Sequence, residues 1–236
     1  MPDSTSNDSV PIARTAYDAL AESFDAKAAT KPHNAYYERP ATLSLLPQEL
    51  SGLRILDAGC GPGHYAEHFA RNGTAKIVAV DASPNMVRLA SQRLSAFPET
   101  AFEFYVADLA HPLSFLADNT IDLVVSPLVL EYVRDWAPVF QEFFRVLAPG
   151  GSLVVSVTHP FFDYTYFQSE QYFEVEYVEC VWRGFGPTPV TMPSYRRPLS
   201  EVLNPLLNAG LILEKLVEPL PTVEFAAADP EGHKEL

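Results

Sequence analysis

Basic residues are scarce in this chain: 16 Lys and Arg stand against 30 Asp and Glu, a formal charge of -14 at pH 7. Nucleic-acid binding needs clustered cations to displace counterions from phosphates. Only Arg196 and Arg197 are adjacent, so no nucleic-acid partner is expected. Cysteine is nearly absent, and Cys60 and Cys180 lie too far apart to suggest a disulfide framework or a zinc site. Long apolar runs are missing as well. A membrane-spanning helix needs roughly 18 apolar residues, and the nearest stretch, 121–133, is interrupted by Asp122 and Glu131. Residues 1–10 are polar, without the charged-then-apolar pattern of a secretion signal, which predicts a cytoplasmic protein. Repeats and low-complexity tracts are also lacking, so the 236 residues read as one structural domain.

What remains is an ordinary folded composition, 47% hydrophobic and 19% charged. Two helical stretches, 13–24 and 40–46, come first; in the former, Ala16, Leu20 and Phe24 recur at a helical spacing. From Leu53 onward, short apolar runs alternate with amphipathic segments. Strands are predicted at 53–58, 76–80, 102–106, 121–126 and 152–157, and a helix over 65–72. Ser83-Pro84 opens another helix, since Ser is a good N-cap and Pro is tolerated in the first turn. Asp135 precedes a further helix whose Trp136, Val139, Phe140, Phe143, Phe144 and Leu147 form one stripe, as core packing requires. Strand and helix alternating in this way imply right-handed crossovers and a parallel sheet. Ligands of such sheets bind beyond the carboxyl ends of the strands, where the strand order reverses.

The strand ends carry the informative residues. The first is followed by Asp57-Ala58-Gly59-Cys60-Gly61-Pro62-Gly63. A dinucleotide fingerprint, Gly-x-Gly-x-x-Gly, would place its third glycine at position 64, where His64 stands. Asp81, at the end of the second strand, is positioned to accept hydrogen bonds from ribose hydroxyls, although a turn acid would look the same. Asp108, after the third strand, can accept from an adenine amino group, beside an apolar edge from Leu109.

Together these residues resemble the class I S-adenosylmethionine-dependent methyltransferases, in particular their small-molecule branch. The likeness covers about 53–157 and includes the 126–133 segment and the 147–151 turn. It implies an α/β, Rossmann-like, seven-stranded and mostly parallel sheet with an antiparallel C-terminal edge. It also implies S-adenosyl-L-methionine as cofactor and S-adenosyl-L-homocysteine as product. By the same resemblance Gly59, Gly61 and Gly63 pass beneath the methionine part, Asp57 orients its amino group, Asp81 holds the ribose, and Asp108 with Leu109 holds the adenine. Met86 packs on the adenine ring, Ser126 belongs to the cofactor site, and Tyr17, in a Tyr-Asp pair ahead of the core, reaches the cofactor. The matching second pair is Phe24-Asp25, so a second hydroxyl is lost.

The expected organisation is a polar tail and helical cap over 1–50, a cofactor-binding core over 51–160, an aromatic insertion over 161–198, and a helix, edge strand and tail over 199–236. In the last part, 200–210 reads as a helix that Pro205 must kink or split, and 211–217 as a strand. The insertion contains Phe161, Phe162, Tyr164, Tyr166, Phe167, Tyr172, Phe173, Tyr177 and Trp182. Phe173, Val175 and Tyr177 alternate with Glu174 and Glu176, as in a half-buried strand. It reads as a β-hairpin lid over an apolar or aromatic small-molecule acceptor, or equally as a homodimer contact.

Two residues are candidates for a base. Glu131 stands where the family often carries His; it could be a base, a substrate contact or a solvated helix-end acid. His159 follows the fifth strand and would face the pocket or stabilise its loop. His64 and His68 share a helix face, but no third ligand accompanies them and a solvent-facing helix accounts for both, so no metal is expected. Two rival functions remain: a non-catalytic cofactor-binding or interaction protein on this fold, and an NAD-dependent oxidoreductase, which His64 disfavours.

Overall fold

In the computed structural model, residues 10–186 and 188–235 are described. The N-terminal part comprises α1 (Arg14–Ala28), a π-helical turn (Asn34–Glu38) and α2 (Arg39–Leu43). The core then alternates β1 (Arg54–Ala58), α3 (His64–Arg71), β2 (Lys76–Asp81), α4 (Pro84–Leu94), β3 (Ala101–Val106) and β4 (Ile121–Pro127). After a 3₁₀ turn (Leu130–Tyr132) come α5 (Ala137–Val146) and β5 (Leu147–Ser156). The chain continues through α6 (Pro160–Tyr166), β6 (Glu176–Trp182), β7 (Val190–Arg196), α7 (Leu199–Asn208), α8 (Val223–Ala228) and α9 (Gly232–Glu235).

Strands β1–β5 form a parallel sheet in the order β3-β2-β1-β4-β5. The chain builds outward from β1 through β2 to β3, then returns to the other side of β1 for β4. That reversal opens a crevice at the carboxyl ends of β1 and β4. Neighbouring residues on a strand point to opposite faces, so each central strand feeds two cores. Leu56, Val78 and Val124 pack with Val139, Phe140 and Phe143 of α5; Ile55, Ile77 and Leu123 pack with Tyr65 and Phe69 of α3 and Leu94 of α4. Ser83 caps α4 as its sequence predicts, its Oγ accepting from the Met86 N–H at 3.1 Å.

The expected seven-stranded sheet is not formed: among the described residues the parallel sheet has five strands, and β6 and β7 make a separate antiparallel pair. Residues 211–217 are not a strand, and no antiparallel edge is added to β5. Their apolar character misled, because a strand exists only through its ladder partner: Ile212 and Leu216 are 84% and 59% exposed. The hairpin in the insertion starts at Glu176, later than the alternation suggested, and Phe173 is left exposed. Helix α7 runs unbroken through Pro205. The β6–β7 pair rests on α1, where Ala16 and Leu20 pack with Phe185 and Met192, so cap and hairpin together roof the crevice.

Candidate active site

A cavity of about 620 Å³ lies beneath this roof, a size suited to a small ligand. Its floor is the loop from β1 to α3, whose glycines all adopt positive φ: +85° at Gly59, +51° at Gly61 and +87° at Gly63. Their tasks differ. A Cβ on Gly61 would meet no atom within 4 Å, so here the backbone lies open to a ligand. A Cβ on Gly59 would fall 2.5 Å from Val129, and one on Gly63 would fall 3.1 Å from the Ala90 Cα. Gly59 therefore admits the loop after β4, and Gly63 lets α3 begin against α4 and does not line the cavity.

Asp81 fixes this loop from the tip of β2. Its Oδ2 accepts from the Gly61 N–H at 2.9 Å and its Oδ1 from the Ser83 N–H at 2.8 Å. Burial pushes the carboxyl up to about 6, against the pull of those two N–H groups. Each oxygen keeps a second lone pair for a ligand hydroxyl. Met86, Asp108 and Leu109 line the same cavity, with Asp108 Oδ1 accepting from the Ala110 N–H at 2.9 Å. Tyr17 enters from α1, and its hydroxyl lies 2.8 Å from that of Tyr132. Tyr17, Gly59, Gly61, Asp81, Met86, Asp108 and Leu109 are thus brought together as the sequence anticipates.

Other expected residues are placed elsewhere. Asp57 and Ser126 are fully buried, do not line the cavity, and present carboxylate and hydroxyl oxygens without a hydrogen-bond partner among the described residues. Burial, then the charge of Asp81, pushes Asp57 up to about 7. His159 does not line the cavity either. It caps α6, its Nδ1 accepting from the Phe161 N–H at 3.2 Å, and its Nε2 lies 2.7 Å from Glu218 Oε1. His64 does not face solvent as its helical register suggested: it lines the cavity, and burial, then Arg93 and Arg39, push it down to about 4, leaving a neutral imidazole. Glu131 does line the cavity, with a buried Oε2 that has no partner. Burial pushes it up to about 8, with Asp163 and Glu38 adding to the effect and Arg197 opposing it.

Sequence reasoning missed Glu38 and Arg39. Glu38 ends the π-helical turn, a distortion common at functional sites, and its Oε1 accepts from Thr42 Oγ1, Tyr65 OH and Ser156 Oγ at 2.8, 2.9 and 2.6 Å. Arg39 donates from Nη2 to the Ala28 carbonyl and leaves its buried Nε unbonded. Both line the cavity. The only local signal was a Glu-Arg pair before Pro40 on an otherwise apolar helix; their convergence depends on partners far along the chain.

The donor set fits S-adenosylmethionine: an open glycine backbone, a carboxylate with free lone pairs at the tip of the neighbouring strand, an apolar slot at Met86 and Leu109, and an arginine with an unbonded N–H. No group of three residues suited to hold a metal occurs among the described residues, and none of the described helices is long and apolar enough to cross a membrane.

Comparison with known proteins agrees with this geometry. Residues 56–155 match the family described as "Methyltransferase domain". A malonyl-[acyl-carrier protein] O-methyltransferase from Yersinia pestis is 32% identical over 142 residues, 60% of this chain and 48% of that enzyme. A magnesium-protoporphyrin O-methyltransferase from Rhodobacter capsulatus is 41% identical over 96 residues, 41% of each chain. The chain thus spans about half or less of the length of these two enzymes. The crystal structure of an S-adenosylmethionine-dependent methyltransferase from Mesorhizobium loti superposes with a TM-score of 0.66 at 26% identity, covering 88% of this chain and 94% of that one. The β3-β2-β1-β4-β5 sheet, the Gly61–Asp81 floor and these likenesses converge on a class I S-adenosylmethionine-dependent methyltransferase domain, matched over residues 56–155.

Proposed function

We propose that this chain transfers the methyl group of S-adenosylmethionine to a small organic acceptor held between the tips of β4 and β5 and the β6–β7 roof. The observation that carries this reading is a single cavity joining Gly61, Asp81, Met86 and Asp108 to Tyr17, Glu131 and the rings of Phe162, Tyr166 and Trp182. When bound, the cofactor supplies an electrophilic methyl group. The chain's own work is to hold and to enclose. Asp81 holds the ribose hydroxyls, Asp108 the adenine amino group, and Met86 with Leu109 the faces of the ring. The Gly61 backbone receives the methionine part, with Arg39 opposite its carboxylate. Asp57, Gly63 and Ser126 act from behind, by shaping the loop rather than by touching ligand.

In-line transfer needs the nucleophile roughly 3–3.5 Å from the carbon, and holding it there supplies much of the rate. Excluding water helps further, because the sulfonium charge disperses as the reaction proceeds. The roof of α1, β6 and β7 performs that exclusion. His159 takes no part in the chemistry, since Glu218 and the α6 cap engage it.

Parallel calorimetry with S-adenosylhomocysteine and NAD tests the assignment. Stoichiometric binding of S-adenosylhomocysteine is expected, weakened roughly 10- to 100-fold by Asp81→Asn, the range for losing hydrogen bonds to a charged group. Binding of NAD alone would overturn it. Sustained methyl transfer from labelled cofactor to an added acceptor separates an enzyme from a silent binder.

A further inference from the structure

Two acids, Glu131 and Asp163, line the cavity near the tips of β4 and β5. Glu131 reaches it from the 3₁₀ turn after β4, and Asp163 from α6 after β5. The same two carboxyl groups bound a second, water-sized void of about 10 Å³, shared with Trp136, Thr158 and Arg197. Oε2 of Glu131 is buried with no partner, and no hydrogen bond or ion pair reaches the Asp163 carboxylate among the described residues.

The cations that face them have most of their donors turned to other partners. Arg196, opposite Asp163, is bound to Glu176, Ser169 and the carbonyls of Gln171, Tyr172 and Glu174. Arg197, opposite Glu131, donates to the Val133 carbonyl and lies 3.9 Å over the Trp136 ring, leaving its buried Nε without a bond among the described residues. His159, also opposite Asp163, is held by Glu218. Glu38, facing Glu131 from the π-helical turn, adds a further negative charge, while Tyr17 and Tyr132 bring hydroxyls that burial keeps protonated.

An enclosed carboxyl group without a countercharge is costly unless a ligand supplies one. Aromatic faces attract the same kind of ligand, and Tyr17, Tyr132, Phe162, Tyr166 and Trp182 all line this part of the cavity. An acceptor bearing a carboxylate would face three acidic groups, Glu131, Asp163 and Glu38.

We propose that the acceptor is an amine, whose basic nitrogen enters as an ammonium between Glu131 and Asp163 and is methylated on nitrogen. This rests on the methyltransferase reading above. Glu131, neutral in the empty site, loses its proton to solvent as the ammonium enters, and its carboxylate then takes one proton from the ammonium, which frees the nitrogen lone pair. The nitrogen then forms the new C–N bond as the C–S bond breaks, and that bond's electron pair stays on sulfur, which becomes neutral. The product leaves as an N-methylammonium, and Glu131 is left neutral again.

The test uses primary aryl- and alkylamines, phenethylamine among them, with the alcohols and carboxylic acids of matching skeleton. Calorimetry into protein saturated with S-adenosylhomocysteine should show binding of amines only, reduced at least 10-fold by Glu131→Gln and by Asp163→Asn. Both variants should keep wild-type affinity for S-adenosylhomocysteine, which also reports that they are folded. Labelled-methyl transfer should give N-methylated products, with kcat/KM falling at least 10-fold in each variant. Binding or methylation of the carboxylic acids or alcohols in preference to the amines overturns the proposal. So does a loss of S-adenosylmethionine affinity in Glu131→Gln with amine binding unchanged, which would assign that acid to the sulfonium. Failure of S-adenosylhomocysteine itself to bind would instead remove the methyltransferase reading.

Discussion

At the level of single side chains, the cost of burial falls most clearly on Asp57, which is fully buried and pushed up to about 7 by burial and by Asp81, with only the Ala66 N–H opposing. A carboxyl group raised in the folded state stabilises the fold most below its unfolded value, and that contribution is lost as pH rises through about 7. His64, pushed down to about 4, acts in the opposite sense, its contribution lost as pH falls from the ordinary histidine range toward that value. Comparing wild type with Asp57→Asn therefore isolates Asp57. The variant should melt at least about 3 °C higher at pH 8, with the gain clearly smaller at pH 5 and vanishing toward the ordinary carboxylate range, since each kcal/mol moves Tm by about 2–4 °C in a chain this size. Equal melting at both pH values would show that Asp57 has a partner. This residue also marks a boundary of what sequence shows. The meeting of Asp81, Asp108 and Gly61 in one cavity was legible because each stands at or just beyond a strand end, where backbone direction alone carries it to the crevice. Asp57 looked like another ligand-binding acid, and its retreat behind the loop depends on how α3 packs. Glu38 and Arg39 gave only the weak sign of a charged pair before Pro40, and Asp163 none, because partners distant in the sequence bring them to the cavity.

At the scale of elements, β1, β2 and β4 were readable because strands buried on both faces appear as short, uninterrupted apolar runs. Helix α4 was readable from its cap. The segment 211–217 is likewise rich in Leu, Ile and Val, with Glu214-Lys215 between them, but it has no ladder, and pairing is a non-local property that composition does not carry. The β6–β7 hairpin poses a related question, since a two-stranded sheet is marginal on its own. Its hold on the preceding loop comes from Arg196, which is 2% exposed and ties Ser169, Glu176 and the carbonyls of Gln171, Tyr172 and Glu174 to the end of β7. Arg196→Ala leaves those acceptors unpaired, at a cost on the order of 2–3 kcal/mol. Hydrogen exchange over 169–182 should accelerate by roughly 30- to 150-fold, that cost expressed as a rate, while β1, β2 and β4 keep their protection. Unchanged exchange in that segment would mean that α1, rather than Arg196, holds the hairpin.

At the scale of the whole molecule, three separate stretches of chain close one cavity: α1 with the π-helical turn, the loops at the strand tips, and the β6–β7 hairpin. The Tyr17–Tyr132 hydroxyl contact and the packing of α1 on β7 join them. A ligand that fills the cavity is bound only by the assembled fold, so its binding energy adds to folding stability by mass action. At a free concentration 100 times Kd the gain is about 2.7 kcal/mol, or roughly 5–10 °C in Tm for a chain of this length. S-adenosylhomocysteine should produce that rise together with slowed hydrogen exchange in both α1 and β6–β7. Duplex DNA should produce neither, because a chain of charge -14 with dispersed cations has no surface to release its counterions. The exchange pattern is the sharper readout. Protection confined to the strand-tip loops, with α1 and the hairpin unaffected, would mean that the adenosine is held by the floor alone. The roof would then close on the acceptor rather than on the cofactor, and the order in which the two bind would be set by that closure.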